Sequence, residues 1–251
     1  MSDEAHDDWT PFLRDLDGQP ATVNLNHHWM EDGPESGRRT LVHVAIRMQT
    51  AQGRGMPSED EFERLAEMEE QLAGALEASG DAVFVATMMM GDERTAYFFS
   101  KKAGATVAAA EKVIAGWKGH KATCGTTEDA DGEVFIENVC PTAAEIRWNG
   151  DISVIEQLRE NGDDPTRARE IQHFAYFEDS EAAEEFVEWC NDNEFEGAST
   201  EEGEDGEYLV SFTHVGRPEI DEIFDRTAAA DEAASELGGM YDGWETEIVR
   251  K

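Results

Sequence analysis

The sequence predicts an α+β protein made of two tandem ferredoxin-like domains, in each of which two helices cover one face of a four-stranded antiparallel sheet. Three observations support this prediction. The chain has 251 residues, which is enough for two domains of ordinary size. The order strand, helix, strand, turn, strand, helix, strand occurs twice along it, as in the split β-α-β unit. Each half also has a short turn between its second and third strands, Gly91-Asp92 and Asp205-Gly206.

The first domain, predicted over residues 1–145, has helices and strands with recognisable boundaries. Ser58 and Glu61 form a capping box at the start of the longest helix, whose apolar residues recur at helical spacing as far as Gly80. A second helix carries one stripe of apolar residues. The predicted strands span 40–48, 82–90 and 95–100, and the predicted helices span 58–79 and 106–117.

The fourth strand of the first sheet has two candidates in the sequence, "HKATCGTT" (120–127) and "EVFIENV" (133–139). Both are short segments with β-branched residues, so the pattern does not separate them. The earlier segment "ATVNLNHHW" (21–29) is predicted to add an edge strand to this sheet.

The second domain is predicted over residues 151–251, after a linker within 140–151. It opens with a short helix, 151–161, that ends at Gly162. The closing strand "YDGWETEI" (241–248) contains Asp242-Gly243, which predicts a bulge or a sharp bend before Trp244. The other predicted elements are the strands 171–177, 194–202 and 207–215 and the helices 180–191 and 218–237.

Several predicted strands carry aromatic side chains on both faces, as the adjacent pairs Phe98-Phe99 and Tyr176-Phe177 show. A sheet with helices on one side would leave some of these rings on its open face. We therefore expect that face to be covered by the other domain or by a second copy of the chain in a homodimer.

The formal net charge is −37 at pH 7, and it is concentrated in the second half. Residues 151–251 contain 30 acidic and 7 basic residues, and the first 150 contain 27 and 13. Such a charge disfavours nucleic acid or anionic membrane as a direct partner and favours a basic polypeptide. The alternative is that the acidity serves solubility or salt adaptation, as in a halophilic or stress-related protein with 6 lysines against 57 carboxylates.

Motifs of catalysis and metal binding are missing from the sequence, which has no nucleophile elbow, P-loop, HExxH or CxxC. We therefore predict a protein that is not an enzyme and has no cofactor, with three buried free thiols. The sequence also lacks a long apolar run and an N-terminal signal, which predicts a cytoplasmic protein. An enzyme or small-ligand domain stays open as the alternative, with His173, Tyr176 or His214 as polar groups in a cleft between the sheets.

Over about residues 151–251 the sequence resembles the regulator of ribonuclease E activity B family, RraB. The segments "IEQLRENGDDPTRAREIQHFAYF", "FVEWCNDNEFEG" and "GGMYDGWETEI" carry the resemblance, and Gly162-Asp163 and 241–244 are its most specific marks. Glu245 stands where the family commonly has glycine. The first 145 residues resemble an uncharacterised bacterial domain family through "SEDEFERLAEMEEQL", "TAYFF" and "VFIENVCPT".

The RraB resemblance implies a ferredoxin-like protein inhibitor of an RNA-degrading endonuclease, which binds the enzyme and not the RNA. The expected partner is a basic, arginine-rich segment of such a ribonuclease E, for which acidic groups would compete with RNA phosphates. We expect the contact at the acidic hairpin and the closing strand. The residues concerned are Glu201, Glu202, Glu204, Asp205, Glu207, Tyr241, Asp242 and Trp244.

Overall fold

The computed structural model describes residues 9–16, 18–32, 37–52, 56–203 and 205–250. The chain divides into two compact units, Met1–Thr142 and Ala143–Lys251. Each unit has its own antiparallel sheet and its own core. Among the helices within these ranges, none is both long and apolar enough to cross a membrane.

The described residues of the first unit form a six-stranded sheet, a short two-stranded sheet and four helices. Its strands are β1 (Trp9–Leu16), β2 (Gln19–Asn26), β3 (Thr40–Arg47), β4 (Ala51–Gln52), β5 (Met56–Pro57), β6 (Ala82–Met90), β7 (Glu93–Ser100) and β8 (Ala122–Glu128). Its helices are α1 (His28–Asp32), α2 (Glu59–Glu77), α3 (Ala103–Ile114) and α4 (Glu133–Asn138).

The large sheet has the strand order β1-β2-β6-β7-β3-β8. The four strands β6-β7-β3-β8, with α2 and α3 in the two crossovers, form the predicted ferredoxin-like unit, and the fold class is confirmed. The segment predicted as an edge strand forms β2, but its edge position was wrong, because β2 pairs with β6 on one side and with β1 on the other. The edge strand is β1, which the sequence did not indicate. In β1, Pro11 and the charged residues Arg14 and Asp15 obscure the alternation typical of a strand.

Of the two candidates for the fourth strand, "HKATCGTT" supplies β8, and "EVFIENV" folds as α4. The buried Asp129 explains the helix, because its carboxylate accepts hydrogen bonds from the backbone N–H groups of Val134 (3.0 Å) and Phe135 (2.9 Å). A side chain that satisfies these N–H groups stabilises the start of a helix.

Both faces of the first sheet are covered within the unit itself. On one face α2 and α3 bury the cluster that includes Phe98. On the other face Phe99 contacts Trp29 of α1 and Phe135 of α4, with ring centroids 6.3 Å and 5.1 Å apart. The expectation that the other domain or a second copy must cover the aromatic residues was therefore wrong for this sheet. The local helices α1 and α4 do so.

In the second unit, the part of the chain that the structure describes forms one four-stranded sheet and three helices. They are α5 (Ala143–Glu160), β9 (Arg169–Phe177), α6 (Ser180–Asp192), β10 (Glu196–Glu202), β11 (Tyr208–Gly216), α7 (Ile220–Glu236) and β12 (Met240–Thr246). The strand order β10-β11-β9-β12 is again that of the ferredoxin-like unit.

The first helix of the second unit is longer than predicted. It was expected at 151–161, but α5 begins at Ala143, so most of the expected linker is helical. The segment Trp148-Asn149-Gly150 has low helix propensity, which is why the sequence pattern placed a boundary there. Contacts of α5 with α7 and β12 outweigh that local preference.

The second sheet is covered by α6 and α7 on one face, where Phe186, Phe212 and Tyr241 belong to one buried cluster. On the opposite face Phe174 and Tyr176 are half-buried, and Met240 is 60% exposed. The cover predicted for this face, by another domain or by a second copy, stays a prediction.

Candidate functional site

The acidic hairpin of the second unit lies at an edge of the sheet. β10 pairs on one side only, with β11, and its last residues Glu201 and Glu202 lie opposite Leu209 and Tyr208. Both glutamates are exposed, and so are Asp205 and Glu207 in the connection to β11. The structure therefore brings these four predicted carboxylates together in one exposed hairpin. Glu204 lies outside the described residues.

Helix α6 extends this negative surface, because it packs against β10 and carries exposed carboxylates of its own. We call the combined surface the acidic edge. Its exposed members are Glu181, Glu184, Glu185, Glu188 and Asp192 of α6, with Glu196, Glu201, Glu202, Asp205 and Glu207 of β10 and the hairpin.

The charge of the acidic edge is hardly compensated by nearby cations. The sequence has no lysine or arginine between Arg169 and Arg217. Within the described residues, the only ion pair formed by a carboxylate of that stretch joins Glu194 to Arg226, at 3.0 Å. So many exposed carboxylates create a negative potential that attracts a basic partner, and salt screens it over about 8 Å at physiological ionic strength.

The closing strand β12 has a β-bulge at Asp242, since the register with β9 shifts between Tyr241 and Gly243. This confirms the predicted bulge, and Gly243 accommodates it with a φ of 136°. In a regular strand, side chains three residues apart point to opposite faces. The extra residue brings Tyr241 and Trp244 to the same, helix-covered face, where they are 2% and 7% exposed.

The three residues of this strand predicted to bind a partner are therefore placed differently from one another. Asp242 is exposed, whereas Tyr241 and Trp244 face the core of the unit. Side chains buried to this extent shape the strand and offer little surface to a partner. Their surroundings show what they contribute to the fold.

Trp244 takes part in a buried polar contact that joins β12 to two helices. Its indole Nε1–H donates to Asp151 Oδ1 of α5 at 2.9 Å, and the hydroxyl of Thr227 of α7 donates to Asp151 Oδ2 at 2.6 Å. Asp151 is 2% exposed, and burial raises the pKa of its carboxyl, although both hydrogen bonds and the nearby Arg147 act in the opposite direction.

Tyr241 begins a chain of hydrogen bonds through the core. Its hydroxyl lies 2.6 Å from His173 Nδ1, and His173 Nε2 lies 2.7 Å from His214 Nδ1. His173 also stacks on Phe212, with ring centroids 5.1 Å apart. These hydrogen bonds satisfy polar atoms of His173, His214 and Tyr241, all of which are buried.

His173 and His214 are both neutral at pH 7. Burial, followed by the neighbouring His214 and Arg226, lowers the pKa of His173 to about 3. Burial, followed by Arg226, lowers the pKa of His214 to about 4. Burial also raises the pKa of the Tyr241 hydroxyl above its ordinary value. These shifts follow from the cost of placing charge in an apolar core.

The alternative site of His173, Tyr176 and His214 is not assembled within the second unit. His173 and His214 hydrogen-bond to each other in the core, while Tyr176 lies on the opposite face of the sheet. The sequence analysis did not predict that His173 and His214 form a pair. The alternation of buried and outward residues along β9 and β11 places both histidines on the buried face of the sheet, and this was the available signal.

The other specific mark of the second domain, Gly162-Asp163, holds chain segments together. Gly162 ends α5 with a φ of 84°. Asp163 Oδ2 accepts a hydrogen bond from Arg169 at 2.8 Å, and its Oδ1 accepts one from the backbone N–H of Val249, also at 2.8 Å. Asp163 thus ties the start of β9 to the segment after β12.

The three cysteines are free, with Cys140 and Cys190 buried and Cys124 half-buried. Burial raises the pKa of the Cys140 and Cys190 thiols to about 12, so neither is a thiolate at pH 7. In the part of the chain that the structure describes, no group of three or more His, Cys, Asp or Glu is arranged to hold a metal ion.

Two family models match the chain. Residues 148–246 match "Regulator of ribonuclease activity B" (RraB), and residues 7–138 match a "Family of unknown function (DUF695)". The order of the two matches confirms the resemblance found in the sequence, an RraB domain after an uncharacterised domain. The RraB match supports a regulatory role for the second unit.

None of the curated proteins matches the chain. A solved structure of a candidate glycine cleavage system transcriptional repressor is similar at 11% identity, covering 85% of this chain and 98% of its own. Its TM-score is 0.25.

Proposed function

We propose that this chain, which belongs to the family of unknown function DUF695 and carries an RraB domain, is a noncatalytic cytoplasmic regulator of ribonuclease E-type enzymes. It inhibits RNA degradation by binding the enzyme's basic, arginine-rich RNA-binding segment. The acidic edge is the contact surface. The observation that carries this proposal is the match of RraB to the unit whose exposed edge bears uncompensated carboxylates.

The mechanism is competition for the same positive charges. RNA binds such a segment through its phosphates, and counterion release makes that binding depend strongly on salt. The carboxylates of the acidic edge offer an alternative set of negative groups on a folded scaffold. Arginine pairs well with carboxylates because its planar guanidinium donates two parallel hydrogen bonds.

The geometry of β10 suits an extended partner. Its outer side is not paired within the sheet, and Glu196, Glu201 and Glu202 place exposed carboxylates at its two ends. A basic peptide can lie along this strand with its arginines on Glu196, Glu201 and Glu202, while the hairpin residues Asp205 and Glu207 contact its end. The same edge repels a second acidic copy, which keeps it free for a basic partner.

The proposal is tested with the full chain and an arginine-rich segment of a ribonuclease E, at low and at moderate salt, with RNA cleavage measured in parallel. We expect binding that weakens with salt and cleavage that slows when the chain is added. The variant E201Q/E202Q/D205N/E207Q is expected to bind at least about tenfold more weakly at low salt.

The control variant E63Q/E67Q/E93Q/E111Q changes the net charge by the same amount at exposed positions of the first unit. It is expected to change the affinity by less than about threefold, because it leaves the acidic edge intact. Equal weakening by both variants would mean that net charge alone matters. A complex that persists unchanged in about 1 M salt would contradict the electrostatic mechanism.

A further inference from the structure

The first unit contains a cavity of about 600 Å³ at one edge of its main sheet. It forms where β2 stops pairing with β6, because the pairing ends at Leu25 and Ala86 and β6 has a bulge between Phe84 and Ala86. Beyond that point β2 no longer covers the edge of β6. On the other side of the cavity, α2 contributes Ala66 and Ala73, whose short side chains leave the space open.

One wall of the cavity is aromatic. Trp9, Trp29 and Phe84 line it, and the rings of Trp9 and Phe84 lie 5.0 Å apart, centroid to centroid. Trp9 and Phe84 are half-buried, so a ligand in the cavity can reach them. Trp29 is 3% exposed and forms the closed end of this wall.

The facing wall, formed by α2, carries the carboxylates of Glu69, Glu70 and Glu77. Glu69 is already compensated, since both of its oxygens accept hydrogen bonds from Arg94 at 3.0 Å. Glu77 Oε1 accepts the backbone N–H of Phe84 at 2.8 Å, which fixes its position without neutralising its charge. Glu70 forms no hydrogen bond or ion pair with any residue that the structure describes. Two negative charges at the cavity therefore have no cationic partner among the described residues.

We propose that this cavity binds an alkylguanidinium or alkylammonium group whose alkyl stem packs on the aromatic wall. The cation is attracted by Glu70 and Glu77 and by the faces of Trp9 and Phe84. Anionic ligands are repelled by the same carboxylates. This site lies in the first unit and does not rest on the function proposed for the second.

The test is calorimetric titration of the full chain with N-acetyl-arginine amide and with N-acetyl-citrulline amide, its neutral near-isostere. We expect the arginine derivative to bind at least about tenfold more tightly, because only it carries the charge. The variant E70Q/E77Q is expected to weaken binding of the arginine derivative by about tenfold or more, while glutamine at 77 still accepts the Phe84 N–H. The control E63Q/E67Q makes the same charge change on α2 outside the cavity and is expected to leave the affinity within about twofold.

Thermal unfolding of each variant checks that the fold is kept. If E70Q/E77Q does not fold, Trp9→Leu tests the aromatic wall instead and is expected to weaken binding about fivefold. Equal affinity for the arginine and citrulline derivatives, or no binding of either at about 10 mM, would overturn the proposal.

Agmatine, a free cation without a carbonyl group, distinguishes the two sources of this ligand. Binding of agmatine as tight as that of the arginine derivative supports a free amine as the ligand. Binding of the arginine derivative alone supports an arginine side chain within a polypeptide.

Discussion

The second unit uses carboxylates in two opposite ways. Asp151 and Asp163 are buried, and each accepts hydrogen bonds from two separate segments of the chain. The carboxylates of the acidic edge are exposed, and none of them forms an ion pair with a described residue. The neighbouring Glu194 pairs with Arg226. Buried, paired acids stabilise the fold, whereas exposed, unpaired acids contribute little to stability and are available to a partner. The following predictions test this division, beginning with the largest effect.

Replacing Asp163 by alanine is expected to lower the free energy of unfolding of the second unit by about 3–5 kcal/mol. The change leaves the largely buried Arg169 without its ion-pair partner and the Val249 N–H without its acceptor. Chemical denaturation followed by circular dichroism measures the effect. Asp205→Ala is the same substitution in the acidic edge, and it is expected to lower the free energy of unfolding by less than about 0.5 kcal/mol. Similar losses for the two variants would contradict the division.

Acid is expected to destabilise the second unit through His173 and His214. Their folded-state pKa values of about 3 and about 4 lie below the ordinary value of 6.5, so the folded state favours their neutral forms. Their contribution is fully present above pH 6.5 and is lost as the pH falls toward the folded-state values. Within that window, each histidine that stays neutral in the folded state lowers the free energy of unfolding by about 1.4 kcal/mol for every unit by which the pH falls.

Denaturation curves at pH 7, 6 and 5 measure this slope. The variant His214→Gln is expected to reduce the loss of unfolding free energy between pH 6 and pH 5 by about 1.4 kcal/mol, the contribution of one histidine. Protonation of the exposed carboxylates is common to both proteins, so the difference between them isolates the histidine. An unchanged slope would show that the pair does not titrate as its burial requires.

Trp244→Phe is expected to lower the free energy of unfolding by about 1–3 kcal/mol. The ring remains, but Asp151 loses one of the two hydrogen bonds that satisfy its buried carboxylate. Trp189→Phe is the matched change, since Trp189 stacks on Phe186 at 5.4 Å and its indole has no hydrogen bond among the described residues. If the two variants lose the same stability, ring size and not the hydrogen bond explains the loss.

Neutralising the acidic edge with E201Q/E202Q/D205N/E207Q is expected to have the smallest effect, within about 0.5 kcal/mol. A small gain at low salt, from reduced repulsion, should disappear at about 0.5 M salt. Thermal unfolding at the two salt concentrations measures it. A loss of stability of several kcal/mol would mean that these carboxylates hold the fold together.

The fold was largely predictable because it depends on patterns that are local in the sequence. Apolar spacing and turn residues indicated α2, α6 and α7 and most strands of both sheets. The failures arose where contacts formed in the folded structure decided the outcome. "EVFIENV" folds as α4 because Asp129, several residues earlier, caps it, and α5 extends through Trp148-Asn149-Gly150 because it packs on α7 and β12. α7 and β12 lie far from α5 in the sequence, and the sequence pattern does not show that the Asp129 carboxylate turns back onto the start of α4.

The candidate sites were less predictable. The sequence alone determined the charge, the acidic run without lysine or arginine, and the residues that mark the second domain. Only the tertiary structure decided that the hairpin carboxylates are exposed while Tyr241 and Trp244 are buried, because a single bulge at Asp242 brings both rings to one face. It also decided that His173 meets His214 and that a cavity opens beside α2, since both depend on which strands are neighbours and where their pairing ends.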